Sequence, residues 1–281
     1  MVTFPCLLIE KRVKLIIGYL KTSTPPFQLK NTVKSNQLDN EVHIWSAVLD
    51  QPKAVIDGYY SILSDYERKM VNKYKSKELR NRQIISKGVL RVLIAKYANF
   101  SHNEINLYYN EFGKPFMSGD SDRNNLFFNL SHSDNIAVFI FSKNWNVGID
   151  VERVKELADM ESVVNLCFSE SEKKWFGKIQ SAKKKEIFYK IWTGKEAYIK
   201  AIGKGLSFSP NRISLVQKTD NELFINEING DKDYSRWKLI TFKPHPDFIS
   251  SVVIENDSLT IKHLSLEPQF IFNQDFQFSE K

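Results

Sequence analysis

Two carboxylates two residues apart, Asp150 and Glu152, close an apolar run that begins at Val147. Alternate side chains of a strand share a face, so both acids point one way while Val147 and Ile149 point the other. A strand that leaves a packed core with two carboxylates on one side can seat a hard cation. The same pair is also compatible with a solvated strand end. Glu196 supplies a third acid, in a helix predicted from Glu186 to Ile202 where Trp192, Glu196 and Lys200 recur every four residues and form one stripe. A Glu with a Lys four residues later is also ordinary helix stabilisation. If Glu196 faces Asp150 and Glu152, the three charges repel one another unless a divalent ion sits among them, and an all-oxygen donor set favours Mg²⁺ or Mn²⁺ over zinc.

His132 follows a predicted strand in Phe128-Asn129-Leu130-Ser131-His132-Ser133, where the flanking hydroxyls suit a ligand or local turn hydrogen bonds equally. The basic residues from Arg68 to Arg82, Lys75 among them, and Lys183 to Lys185 offer either phosphate contacts or a solvated face. The sequence has no P-loop, dinucleotide fingerprint, nucleophile elbow or zinc-type Cys and His spacing. It also lacks a recognised nucleic-acid module and regularly interleaved aromatics, so no nucleic-acid partner is expected.

Composition bounds these readings. The chain has 281 residues, 42% of them apolar, enough for one large core or two small ones. Forty Lys and Arg against thirty-three Asp and Glu give a net charge of +7, which would steer the protein toward a polyanion, an acidic protein or a phosphate-rich small molecule. Cys6 and Cys167, far apart in sequence, make neither a disulfide scaffold nor a thiolate cage, and a cytoplasmic location is expected. The apolar stretch from Leu7 to Leu20 is broken by Glu10, Lys11, Arg12 and Lys14, so secretion and membrane insertion are poor readings.

The elements that must position these residues follow from periodicity. Val42 to Val48 reads as a strand, and Ser64 with Glu67 as a capping box. Ile84, Ile85, Val89, Leu90, Leu93 and Ile94 mark the packed face of a long helix that carries Arg80, Arg82, Lys87 and Arg91. Strands are expected at 105–109, 126–130, 136–141 and 147–151, the last two as a hairpin, with a turn at Phe112-Gly113-Lys114-Pro115. Helices near 169–179 and 186–202 come next, then short strands from Ile213 to Ile254 with turns such as Asn229-Gly230-Asp231. Residues 82–91 overlay on 188–197 as a faint internal echo, with Gly88 on Gly194. The whole reads as α+β: a first lobe at 41–145 and a second at 146–262, flanked by an N-terminal extension at 1–40 and a tail at 263–281.

Three segments carry a resemblance in order and spacing: Val-Gly-Ile-Asp-Val-Glu at 147–152, Phe-Ser-Glu-Ser-Glu at 168–172, and Trp-Thr-Gly-Lys-Glu-Ala-Tyr-Ile-Lys at 192–200, continued by Gly203-Lys204-Gly205-Leu206-Ser207. Together they resemble the 4′-phosphopantetheinyl transferases, of the larger monomeric type that serves surfactin synthetase and related assembly lines. In the first half, Arg80 to Arg91 is similar to that family's basic helix, Phe112 to Pro115 to its Gly-Lys-Pro turn, and Phe128 to Ser133 to its Asn-Leu-Ser-His-Ser segment. One departure is Gly194 inside the last signature, which lowers helix propensity by up to about 1 kcal/mol relative to Ala and either permits close packing against the other lobe or is simply tolerated.

The resemblance implies two similar α+β lobes related by a pseudo-two-fold axis, with coenzyme A in the cleft. It implies transfer of the phosphopantetheine arm to a serine of an apo acyl or peptidyl carrier protein, for polyketide or nonribosomal peptide synthesis. By the same resemblance Asp150, Glu152 and Glu196 hold Mg²⁺, or Mn²⁺, on the pyrophosphate, Glu196 acts as base, and Lys200 stabilises or protonates the departing phosphate. Arg82 and His132 would contact the 3′-phosphate, helped by Lys75 and by the hydroxyls of Ser131 and Ser133. Lys114 and Pro115 would shape the adenine side, and Lys195 would support the phosphate site. The alternative is a catalytically inactive protein that binds coenzyme A or a carrier, in which the acidic trio fails to bind metal.

Overall fold

A computed structural model describes residues 38–101, 104–117, 125–219, 222–228, 236–256 and 258–266. These belong to one compact unit. The extension up to residue 37, the Asn229-Gly230-Asp231 turn and the tail beyond Leu266 lie outside the described residues.

The first half opens on strand β1 (Glu41–Val48), followed by helices α1 (Lys53–Ser61), α2 (Asp65–Val71) and α3 (Lys77–Ala98). Ser64 caps α2 in the expected box: its side chain accepts from the Glu67 amide while the Glu67 carboxylate accepts from the Ser64 amide. Asn99, at φ 57°, ends α3 in the left-handed region. A short hairpin of β2 (Leu107–Tyr109) and β3 (Pro115–Met117) comes next, then the antiparallel pair β4 (Leu126–Ser133) and β5 (Ile136–Lys143).

The second half repeats this order. It runs β6 (Val147–Arg153), α4 (Met160–Cys167), α5 (Glu170–Phe176), α6 (Ser181–Ile202), the hairpin β7 (Ile213–Thr219) and β8 (Glu222–Ile228), and the pair β9 (Lys238–Phe242) and β10 (Phe248–Ile254). Details repeat too. Ser169 and Glu172 form a second capping box, and α6, like α3, has 22 residues and ends on a left-handed position, Gly203 at φ 69°.

Each half also buries one ion pair between its capping-box Glu and its long helix. Glu67 meets Arg91 at 2.9 Å and Glu172 meets Lys195 at 2.5 Å. Arg91 and Lys195 stand at the same place counted from the start of their helices, so the true overlay sets Gly88 against Trp192, two residues from the register read in the sequence. The two glycines that suggested that register serve unrelated neighbours: a Cβ on Gly88 would strike the Tyr59 ring, and one on Gly194 would press on Leu215 and Leu239. Gly194 therefore packs within its own half of the chain, not against the other.

The expected hairpin of β5 and β6 does not form. The strands lie in separate sheets, one in which β1, β5 and β4 are neighbours in that order and the other ordered β6-β10-β9. Strand β5 is buried along almost its whole length and spends its backbone bonds on β1 and β4, while β6 pairs with β10. Strand β11 (Thr260–Leu266), absent from the sequence reading, returns the chain to the first sheet and pairs in parallel with β1.

Side chains stitch the sheets together between β4 and β6. Asn129 Oδ1 accepts from the Ile149 amide at 3.0 Å, Ser131 Oγ donates to Asp150 at 2.8 Å, and Ser133 Oγ donates to Glu152 at 2.8 Å while accepting from the Arg153 amide at 3.2 Å. These three residues alternate along β4, so one face of the strand serves the seam and His132 points off the other. Helix α6 lies directly on β6 because residue 148 is glycine: a Cβ there would stand 2.0 Å from the Ala197 carbonyl oxygen. That close approach brings Glu196 and Lys200 beside Asp150. Among the described residues no helix is long and apolar enough to cross a membrane.

Candidate functional site

A cavity of about 480 Å³ opens where the halves meet. Its first-half wall comes from Gln83, Ser86, Lys87 and Leu90 on α3, Tyr109 and Phe112 to Pro115 on the hairpin, and Asn129 to His132 on β4. The second half contributes Asp150 and Glu152 from β6 and the stripe Trp192, Glu196, Ile199 and Lys200 from α6. The structure thus brings Asp150, Glu152, Glu196, Lys200, His132, Ser131, Lys114 and Pro115 to one cavity.

Asp150 is 4% exposed. Its Oδ1 accepts from Ser131 Oγ and, at 2.6 Å, from the Lys200 ammonium, which also reaches Ser131 Oγ at 2.9 Å. Its Oδ2 is buried and has no hydrogen-bond partner among the described residues. Burial, and after it the charge of Asp150, raises the pKa of both Glu152 and Glu196; Lys200 works in the opposite sense on each. The acids of the site therefore repel one another, and the Lys200 ammonium is the counter-charge that acts on both glutamates.

This donor set fits a hard divalent cation. All ligand atoms are oxygens, one buried oxygen is unpartnered, and a cation would relieve the repulsion that raises Glu152 and Glu196. Among the described residues no three acidic, His or Cys side chains yet converge as a finished cage. Asp150, Glu152 and Glu196 are the residues that could hold the ion.

The His132 ring nitrogen Nε2 lies 2.9 Å from the Gln83 amide nitrogen. An amide nitrogen only donates, so Nε2 accepts and the neutral ring carries its proton on Nδ1. The surrounding protein, then Lys200 and Lys87, lowers the pKa of this ring and favours that neutral form. Lys114 donates from Nζ to the carbonyls of Lys200 and Ala201, at 2.6 and 3.1 Å, and so caps the negative end of α6 from the other half of the chain. Burial pulls its pKa down to about 8.

Four expected contacts, Lys75, Arg82, Lys195 and Ser133, fall outside the cavity lining. Lys75 is exposed on the loop before α3. Arg82 is held by both oxygens of Asp50, at 2.7 and 3.0 Å, and by Glu78 at 2.6 Å. Lys195 needs correction. Its side chain is fully buried, paired with Glu172, and donates to the carbonyls of Cys167, Pro210 and Ile213. Adjacent residues on a helix point about 100° apart, so the turn that aims Glu196 into the cavity sends Lys195 into the core. Ser133 spends its hydroxyl on Glu152.

Gln83, Lys87 and Tyr109 were not anticipated. Gln83, Ser86, Lys87 and Leu90 recur at helical spacing, which in hindsight is the signal of a second face on α3 turned to a site. The Lys87 ammonium stands over the Tyr109 ring, 5.2 Å from its centre, and Tyr109 is tied by its hydroxyl to Glu67 of the buried ion pair.

Comparison with known proteins follows the same division of the chain. Residues 146–255 match the family described as the 4′-phosphopantetheinyl transferase superfamily, and residues 49–144 match 4′-phosphopantetheinyl transferase, N-terminal. The chain is 29% identical to the 4′-phosphopantetheinyl transferase HetI of Nostoc sp., over 77% of this chain and 89% of that one. It is 29% identical to the 4′-phosphopantetheinyl transferase gsp of Aneurinibacillus migulanus, over 71% and 80%. With the 4′-phosphopantetheinyl transferase Sfp of Bacillus subtilis it shares 24% identity over 75% and 96%. Two adjacent family matches that together span both halves, and relatives of one name aligned over most of their length, carry one conclusion: the chain belongs to the 4′-phosphopantetheinyl transferase superfamily.

Proposed function

We propose that the protein transfers the 4′-phosphopantetheine arm of coenzyme A to a serine hydroxyl of an apo acyl or peptidyl carrier protein, releasing adenosine 3′,5′-bisphosphate. The observation that carries this reading is a cavity lined by three carboxylates and Lys200 from one half and by Lys87, Gln83 and His132 from the other. In the reaction the serine oxygen forms a bond to the phosphorus that bears the pantetheine, and the pyrophosphate P–O bond to the adenosine side breaks. Mg²⁺ held by Asp150, Glu152 and Glu196 would draw charge from the pyrophosphate.

The chain's own groups do the rest. Glu196, whose proton affinity is raised by burial, accepts the serine proton directly or through water. Lys200 neutralises the departing phosphate. His132 and Gln83 face the 3′-phosphate, and Lys87 adds a cation that α3 turns into the cavity while Arg82 stays bound to Asp50 and Glu78. The net charge of +7 suits an acidic carrier. In this reading residues 41–145 form the nucleotide-phosphate lobe and 146–262 the acidic lobe, and the enzyme works as a cytoplasmic monomer in polyketide or nonribosomal peptide synthesis.

The test is intact-mass analysis of apo acyl and apo peptidyl carriers incubated with the protein, coenzyme A and Mg²⁺. A phosphopantetheine-sized gain on the carrier serine, abolished by chelator, is expected. No gain together with no coenzyme A binding would overturn the reading, and coenzyme A binding without transfer would favour the inactive binding protein. A finer prediction separates the cations of α3. Losing a charge-assisted hydrogen bond costs about 1.5–3 kcal/mol, so Lys87→Met should raise the KM for coenzyme A roughly tenfold or more with little change in kcat, and Arg82→Met should raise it less. Steady-state kinetics against coenzyme A at a saturating carrier concentration decide it.

A further inference from the structure

We infer that Lys200 is the resident counter-ion of Asp150, that a divalent ion must displace its ammonium to bind, and that Lys200 thereby links metal binding to binding of the phosphate ligand. The phosphate half of this inference rests on the transferase reading; the metal half does not.

The geometry is specific. Lys200 Nζ holds the same Asp150 oxygen that Ser131 holds, at 2.6 Å, and its direct ion pair is with Asp150, not with Glu152 or Glu196. The other Asp150 oxygen is buried and unpartnered, on a side chain only 6% exposed. A dication seated among the three acids would stand close to that ammonium, and the two positive charges would compete for Asp150. The Lys200 side chain is 29% exposed and lines the cavity, so a flexible four-carbon stem can carry the ammonium from Asp150 toward a ligand. Once displaced it loses its direct contact with Asp150, and a ligand phosphate supplies a replacement. Linkage then requires reciprocity: the phosphate ligand favours metal binding, and metal favours the phosphate ligand, by the same factor.

The test is calorimetric titration of Mg²⁺ or Mn²⁺ into the full-length protein and its Lys200→Met variant, each with and without coenzyme A and with no carrier present. Protein-free titrations remove the ligand's own chelation. Without coenzyme A, Lys200→Met should bind metal about tenfold more tightly than the unaltered protein, because a competing unit charge has gone. Coenzyme A should raise metal affinity several-fold in the unaltered protein and much less in the variant. Lys200→Arg, which keeps the charge, should stay near the unaltered affinity. Equal or weaker metal binding by Lys200→Met would overturn the inference, and should that variant fail to fold, Lys200→Gln carries the same comparison. If coenzyme A binds neither protein the transferase reading falls, while the metal-only comparison still decides the role of Lys200.

Discussion

Asp150→Ala and Glu196→Gln should each lower the rate of carrier modification by about 10²–10³, the loss expected when a centre that supplies a few kcal/mol of charge stabilisation is dismantled. Their effects on stability should differ, which separates chemistry from folding. Glu196 binds its proton more tightly in the folded protein than in the unfolded chain, since burial and then Asp150 disfavour its charge. Ionised, it therefore costs stability at any pH above its unfolded pKa, and Gln removes that cost. Glu196→Gln should unfold at a higher temperature, by about 2–4 °C for each kcal/mol recovered in a domain of this size. Asp150→Ala gains nothing comparable, because it strips Lys200 of its carboxylate. Thermal unfolding at neutral pH beside the carrier mass assay checks both. A Glu196→Gln protein that is less stable and still active would contradict the placement of Glu196 in a strained acidic site.

The second large effect concerns Lys195, the immediate neighbour of Glu196, which points into the core and not into the cavity. Lys195→Met should destabilise the protein by about 3–5 kcal/mol, because it leaves Glu172 buried and uncompensated. Burial pushes Glu172 up in pKa and Lys195 down, while their mutual attraction, and for Glu172 the amides of Leu215 and Ser169, work the other way. Three carbonyls that Lys195 now satisfies would lose their donor as well. The double variant Glu172→Gln with Lys195→Met should recover part of the loss, since no lone charge remains. Urea unfolding measures the stability, and the KM for coenzyme A in the protein that still folds should change by less than about twofold. A stable Lys195→Met protein with a much higher KM would restore the phosphate-site role.

What could be read from the sequence was local. Ser64 with Glu67, the stripe of Trp192, Glu196 and Lys200, and the shared face of Asp150 and Glu152 depend on spacings of two to four residues, and the structure places them as expected. What escaped depends on distant partners. Nothing near Arg82 announces that Asp50, thirty-two residues away, holds its guanidinium. Strands β5 and β6 adjoin in sequence and look like a hairpin, but β1 and β10 take their edges. Lys195 shows the limit of a signature read as a string: its neighbour enters the cavity and it does not, and only helical phase tells them apart.

The parallel pairing of β1 with β11 bears on how the chain is made. Glu41 to Ala47 lie opposite Thr260 to Leu266, so the outer edge of the first sheet stays unpaired during synthesis until nearly all of the second half has left the ribosome. An open strand edge is a template for the wrong partner, including the same segment of a neighbouring nascent chain. Charged side chains on these strands guard against that: Glu41 at the start of β1 receives Lys262 of β11 at 2.7 Å, a contact that a second copy of β1 cannot supply. The first half is therefore completed last, and slow ribosome transit through the codons for β9 to β11 would lengthen the interval in which the nascent protein depends on chaperones.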